Sequence, residues 1–194
     1  MKKSNFFAFI SRMKYINRWG LMRNIKEENV SEHSLEVAVV AHALTIIQKQ
    51  RLNYNVNPEK TALYAIYHDS SEIFTGDLPT PVKYYNSSIK TAYKDVEYSA
   101  SQRLLKLLPE DFYEEFEPIL IPKEEEAEIW KTIKSADKIS AYIKCVEEEK
   151  SGNKEFIKAK QSILIEIKNM NRPDVNIFME EFIDGYNLTL DEME

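Results

Sequence analysis

The sequence predicts an all-α fold, a single-domain helical bundle spanning residues 1–194, and three observations predict it. Apolar residues recur at intervals of three and four in successive segments. Only four glycines and seven prolines occur among 194 residues, and they fall mainly between those segments. No alternating series is long enough to found a sheet, and neither an internal repeat nor a linker divides the chain.

Taken in order, the run from Met1, Lys2 and Lys3 through Phe6, Phe7 and Ile10 reads as a first helix. Arg12 and Lys14 interrupt it before a signal-peptide core is complete. A second helix starts after Ser31 and runs to Gln50, with Leu35, Ala38, Val39, Ala41, Leu44 and Ile47 apolar nearly all round, so it should be buried. A third has Asn57 as N-cap and Pro58 as its first residue, turns Leu63, Ile66 and Tyr67 inward and stops by Gly76. Ile89, Tyr93, Val96, Ala100 and Leu104 then define an amphipathic helix ended by Pro109. Pro118 and Pro122 mark a loop. A fifth helix opens with Pro122 and the run Glu124-Glu125-Glu126, which suits the positive end of a helix dipole. It turns Ile129, Ile133, Ala136, Ser140 and Ile143 inward, with Asp137 beside that stripe. Residues 156–167 and 173–182 complete the bundle and carry no evident chemistry.

Composition narrows the function classes. With 43% hydrophobic and 30% charged residues the chain can bury a substantial core. A single cysteine, Cys145, cannot form an internal disulfide, which fits a reducing compartment and a cytoplasmic protein. No apolar stretch approaches the roughly 20 residues that cross a bilayer, so no membrane partner is expected. The net charge of −6 argues against a DNA or RNA polymer as partner. Residues 1–26 nevertheless carry seven bases and no acid. That stretch either attracts a small anion or forms a solvated basic face, and charge alone does not choose.

All three histidines lie between positions 33 and 68. His42 has an ordinary apolar setting and reads as a packing residue. His33 and His68 stand in Ser31-Glu32-His33-Ser34 and Tyr67-His68-Asp69-Ser70-Ser71-Glu72. Imidazole and carboxylate suit a divalent first-row ion where thiolates are lacking, so two histidines and two aspartates make a sensible site. Neighbouring helix residues diverge by about 100°, so His68 and Asp69 meet on one ion most readily at a helix C-terminus. By spacing alone the His-Asp pair reads first as a surface dyad or as a histidine oriented by a neighbouring carboxylate.

Longer segments add to this: Asn17-Arg18-Trp19, Leu21-Met22-Arg23-Asn24, Glu28-Asn29-Val30-Ser31-Glu32-His33-Ser34-Leu35, the His68 segment above, Thr75-Gly76-Asp77-Leu78-Pro79-Thr80-Pro81-Val82-Lys83-Tyr84, and Ala136-Asp137. With them the chain resembles the HD-domain phosphohydrolases, and more narrowly the bacterial 5′-deoxynucleotidases of the YfbR type, over nearly its whole length. The resemblance implies an HD-type helical bundle, a homodimer, and one divalent transition ion, Co, Mn or a similar one, held by His33, His68, Asp69 and Asp137. All four are present.

It further implies phosphate release from deoxyribonucleoside 5′-monophosphates, with Arg18, Glu72 and Asp77 as catalytic residues. Arg18 has the fork that grips two phosphate oxygens. Glu72 would orient or deprotonate water. Trp19 would wall the sugar and exclude a 2′-hydroxyl. Asp77, with Leu78, Pro79 and Thr80, would complete the substrate pocket and accept from the 3′-hydroxyl, while His33, Asp69 and Asp137 also face the substrate. The alternatives are an HD enzyme for another nucleotide and a non-catalytic nucleotide- or metal-binding helical module. Residues 93–104 offer an apolar stripe that either pairs protomers or faces the core.

Overall fold

The computed structural model describes residues 3–83 and 85–194; Met1, Lys2 and Tyr84, which the sequence reading placed in the first helix, the basic segment and the pocket motif, lie outside the described residues. Among the described residues ten α-helices follow one another: α1 Phe6–Ile10, α2 Val30–Arg51, α3 Pro58–Tyr67, α4 Glu72–Thr75, α5 Thr80–Lys83, α6 Ser87–Leu105, α7 Tyr113–Leu120, α8 Ala127–Lys150, α9 Ile157–Asn169 and α10 Pro173–Glu181. Short 3-10 turns join several of them. Among the described residues there is no strand, only an isolated antiparallel bridge between Asn17 and Asn29.

Helix α2 forms the centre, packed on α3, α8 and α10. It begins earlier than the sequence suggested. Asn29, not Ser31, caps it, accepting from the Ser31 and Glu32 amides, while Glu32 reaches back to the Asn29 amide in a capping box. Its burial is one-sided. Val37, Val40, Ala41 and Leu44 are in the core, but Leu35 and Val39 are 65% and 63% exposed and His42 is exposed, so the expectations of a wholly buried helix and a packing histidine are both wrong. Alternation of apolar and polar positions would have separated these faces; near-continuous apolarity hid them. With 22 residues and a mean hydropathy of 1.3 in its most apolar window, α2 is long and apolar enough to cross a bilayer, contrary to the sequence reading, and 56% of that window is buried within the protein.

At its C-terminal end α2 enters a buried polar network. Gln48 Nε2 donates to Thr132 Oγ1 at 3.1 Å and to Asp174 Oδ2 at 2.7 Å, and Arg172 Nη2 donates to the same two oxygens. Pairing of this kind is what allows Gln48 and Asp174 to be almost fully enclosed.

Asn57 caps α3 and Pro58 opens it as expected, but the inward residues are Thr61, Tyr64 and Ala65, and Leu63 and Ile66 stay exposed. The helix ends at Tyr67, not near Gly76. A turn carries His68 to Ser71, α4 follows, and Gly76 closes α4 with φ +70°. In α6 only Ala100 and Leu104 of the expected stripe are buried, and Ile89 and Val96 face outward. Pro118 lies inside α7, where a loop was expected. Glu124–Glu126 form a 3-10 turn before α8, whose Ile133, Ala136, Ser140 and Ile143 point inward as expected. A main core of α2, α3, α8, α9 and α10 side chains is joined by a smaller cluster of Phe6, Leu104, Leu105, Leu108, Leu120 and Ile121.

Candidate active site

His33 lies in the first turn of α2, fixed by the Asn29 cap, and is fully buried. His68 terminates α3, the helix end that the His-Asp geometry called for, and its Nδ1–H donates to the Ala65 carbonyl at 2.7 Å, which turns Nε2 the other way. Asp69 follows in the turn, and Asp137 projects from the middle of α8. Three separate elements, α2, α8 and the turn after α3, thus converge. Asp69 Oδ2 is 3.1 Å from His68 Nε2 and 3.5 Å from His33 Nε2, and Asp137 Oδ1 is 3.1 Å from His33 Nε2.

The two Nε2 atoms are buried and neither has a hydrogen-bond partner among the described residues. One donor atom each from His33, His68 and Asp69 fall within 4.8 Å of one another, and Asp137 stands at the His33 side of that trio. Two unpartnered imidazole nitrogens, with carboxylate oxygens of Asp69 and Asp137 3.1–3.5 Å from them, fit a divalent ion. The electrostatics agree. Burial and the Arg18 charge would lower the His33 pKa, yet Asp137 and Glu28 raise it to about 9, so this spot favours positive charge. Burial would raise both aspartates; the neighbouring imidazoles, with Arg18 at Asp137, instead hold them below the usual carboxylate range.

Arg18 borders this centre. Its Nη2 is 3.9 Å from Asp137 Oδ1, and its Nη1 is 2.8 Å from Glu28 Oε1 and 2.6 Å from His33 Nδ1. Despite burial, which works the other way, Glu28, Asp137, Asp69 and Asp77 raise its pKa further. Around His33 Nδ1 also lie Glu28 Oε1 at 3.3 Å and Ser140 Oγ at 3.2 Å, and Ser140 donates on to Glu36. A cation at Nε2 would require the ring proton on Nδ1, toward Glu28 and Ser140, with Arg18 Nη1 drawn back from its 2.6 Å approach to Nδ1.

Trp19 occupies the left-handed region, φ +60°, a conformation that costs a non-glycine residue about 1–2 kcal/mol. The surroundings hold it there. Its Nε1 donates to Glu28 Oε2 at 2.9 Å, its carbonyl accepts from Met22 at 2.8 Å, and its ring lies 5.3 Å from that of Phe156.

Glu72 opens α4, 7% exposed, and its Oε2 has no partner. The helix break means that it reaches the site from α4 and not from a continuing α3. Burial first, then the charges of Asp69 and Asp77, push its pKa well up. Asp77 is raised by burial and partly held back by Arg18 and by a backbone hydrogen bond from Trp19.

A cavity of about 430 Å³ opens beside Arg18, lined by Trp19, Asp77, Pro79 and Thr80, and, beyond the sequence expectation, by Ala141 of α8 and by Ala159, Ser162, Ile163 and Glu166 of α9. Its size suits a small organic ligand. Leu78 is half-buried and does not line it. Glu28, Ser140 and the α9 wall carried no recognisable signal in the sequence. Glu28 begins the segment that leads to His33, but nothing there distinguishes a buried anchor from the surface acid Glu27.

Comparison with known proteins agrees with this arrangement. The family model described as 5′-deoxynucleotidase YfbR-like matches residues 5–186. A 5′-deoxynucleotidase of Vibrio parahaemolyticus is 49% identical over 193 residues, covering 100% of both chains. The 5′-deoxynucleotidase YfbR of Escherichia coli O1:K1 is 48% identical, covering 100% of this chain and 97% of that one. Among solved structures, an HD-domain phosphohydrolase from Listeria innocua superimposes with a TM-score of 0.80 at 24% identity over 94% of this chain and 88% of its own. The cyanophage S-2L HD phosphohydrolase, bound to dA and one catalytic Zn²⁺, gives 0.64 at 18% over 95% and 98%.

Proposed function

The chain belongs to the YfbR-like 5′-deoxynucleotidase family, and from that premise we propose that it hydrolyses deoxyribonucleoside 5′-monophosphates to deoxyribonucleosides and orthophosphate. The observation that carries the reading is the pair of buried, unpartnered Nε2 atoms of His33 and His68 facing the Asp69 and Asp137 carboxylates next to Arg18. His33, His68, Asp69 and Asp137 would hold one divalent ion. Such an ion, when bound, lowers the pKa of a water molecule and offsets charge on the phosphoryl oxygens.

The protein's own groups do the rest. Arg18 grips the phosphate, with its charge secured by four surrounding carboxylates. His33, Asp69 and Asp137 border the same phosphate. With a cation held among His33, His68, Asp69 and Asp137 offsetting the Asp69 and Asp77 charges that add to burial in raising its pKa, Glu72 would be ionised. It would take the proton of the attacking water at its unpartnered Oε2. As the bond from phosphorus to O5′ breaks, the proton that Glu72 has accepted passes to the leaving oxygen, which departs as the 5′-hydroxyl. Asp77 accepts from the 3′-hydroxyl, Pro79 and Thr80 frame the sugar with Leu78 behind them, and Trp19 fills the space a 2′-hydroxyl would need. A buried hydroxyl without a partner costs about 1–3 kcal/mol, enough to discriminate.

The ion is Co, Mn or a similar transition metal, since this donor set accepts several of them. A homodimer in the cytoplasm completes the proposal. Exposed Leu35 and Val39 on α2 and Leu63 and Ile66 on α3 are better suited to pair protomers than residues 93–104, whose Ala100 and Leu104 lie in the core. The buried thiol of Cys145 is compatible with a reducing compartment.

The test is phosphate release from matched deoxy- and ribonucleoside 5′-monophosphates with Co, Mn, Zn or chelator present. Release from the deoxy series alone, abolished by chelator, is expected. Equal release from both sugars, or preference for another phosphorylated nucleotide, would overturn the substrate assignment, and metal-dependent binding without product would overturn catalysis.

A further inference from the structure

Glu28, whose Oε1 also lies 3.3 Å from His33 Nδ1, sits where two substrate-facing residues meet. Its Oε1 accepts from Arg18 Nη1 at 2.8 Å and its Oε2 from Trp19 Nε1 at 2.9 Å, so each carboxylate oxygen holds one of them. Its backbone takes part too, because the Arg18 amide donates to the Glu28 carbonyl at 2.9 Å, next to the Asn17–Asn29 bridge. Asn29 caps α2, so this grip is continuous with the helix that carries His33. Only 12% of the Glu28 side chain is exposed, and Trp19 is held against its backbone preference.

We propose that Glu28 is a positioning residue that locks Arg18 and Trp19 into one unit, so that selection against a 2′-hydroxyl and orientation of the phosphate are set together. The inference rests on the deoxynucleotidase reading. A carboxylate is required because two N–H groups converge on two acceptor oxygens. An amide of the same size supplies one acceptor and turns an NH₂ toward another donor. A wall held by hydrogen bonds to a neighbour that also holds the phosphate fork cannot move without moving the fork.

The experiment compares wild type, Glu28→Gln, Trp19→Phe and the double variant. Three readouts are followed: the deoxy-to-ribo ratio of kcat/KM, inhibition by inorganic phosphate, and bound metal per chain. At saturating metal, Glu28→Gln is expected to narrow the sugar ratio about tenfold and weaken phosphate inhibition severalfold, and because Oε1 also lies 3.3 Å from His33 Nδ1 its metal affinity should fall by about 10–100-fold. Trp19→Phe removes the indole N–H from Glu28 and should also weaken phosphate inhibition, though its ring faces the sugar. The double variant should show less than the product of the two single effects. Trp19 fluorescence in a Trp130→Phe background adds a readout independent of turnover, with Glu28→Gln making the indole more accessible to acrylamide.

An unchanged sugar ratio in an active Glu28→Gln protein, or Trp19→Phe with unaltered phosphate inhibition, would overturn the inference and leave the deoxynucleotidase reading standing. A wild type that releases phosphate from no deoxynucleotide would overturn that reading, and this inference with it. If Glu28→Gln does not fold, the phosphate inhibition of Trp19→Phe decides.

Discussion

The loop at residues 23–27 is held to α8 mainly by Glu148, and replacing that residue with glutamine gives a quantitative test of how the site is mounted. Glu148 is 2% exposed and accepts four hydrogen bonds, from the Ile25 and Lys26 amides at 2.9 and 3.2 Å, Lys144 Nζ at 2.6 Å and Asn153 Nδ2 at 2.7 Å. Burial alone would raise its pKa. These donors outweigh burial and push it down to about 2. Against an unfolded value near 4.5 the shift corresponds to about 3 kcal/mol of stability, consistent with removing one partner of a buried ion pair.

Because the folded pKa is the lower one, this stability is fully present above pH 4.5 and is lost as pH falls toward 2. Urea melts should show Glu148→Gln less stable by about 3 kcal/mol at pH 7, with the gap narrowing to about 1 kcal/mol at pH 3. A gap that stays constant across that range would refute the electrostatic account and leave only lost packing. A gap near zero at pH 7 would mean that the loop does not need this anchor.

Three further outcomes are expected. Glu72→Ala should retain bound ion yet lose phosphate release by about 10²–10⁴-fold, the usual contribution of a general base, whereas Asp137→Ala should lose much of its metal; elemental analysis beside the phosphate assay separates them. Gly76→Ala should cost about 1–3 kcal/mol in thermal or urea melts, because a Cβ there meets no atom within 4 Å but the backbone lies at φ +70°, ψ 168°, where only glycine is comfortable; an unchanged melt would show the turn to be adaptable.

How much of this was legible in the sequence depended on the kind of signal. Asn57-Pro58 announced α3 because capping is local chemistry, and α8 announced its inner face because Ile133, Ala136, Ser140 and Ile143 keep helical spacing between charged residues. The faces of α2 and α3 were not legible, since Leu35, Val39, Leu63 and Ile66 are as apolar as the residues that pack, and exposure is decided by which neighbour is absent. Pro118 looked like a break although an eight-residue helix absorbs it. At the site, motif segments named His33, His68, Asp69, Asp137, Arg18 and Glu72, and those side chains do lie together. Glu28, Ser140 and the α9 wall could not be read because their roles arise from contacts between distant segments, such as Ser140 with His33.

The polar network at the far end of α2 bears on the metal-facing end. Leucine and isoleucine surfaces hold helices together without fixing their axial offset, so greasy rods can creep along one another at little cost. Gln48 and Thr132 behave like a dowel between α2 and α8, the same two helices that carry His33 and Asp137. A displacement of even a fraction of a turn would strip enclosed hydrogen bonds, so the spacing of the opposing imidazole and carboxylate is gauged from the opposite end of the bundle.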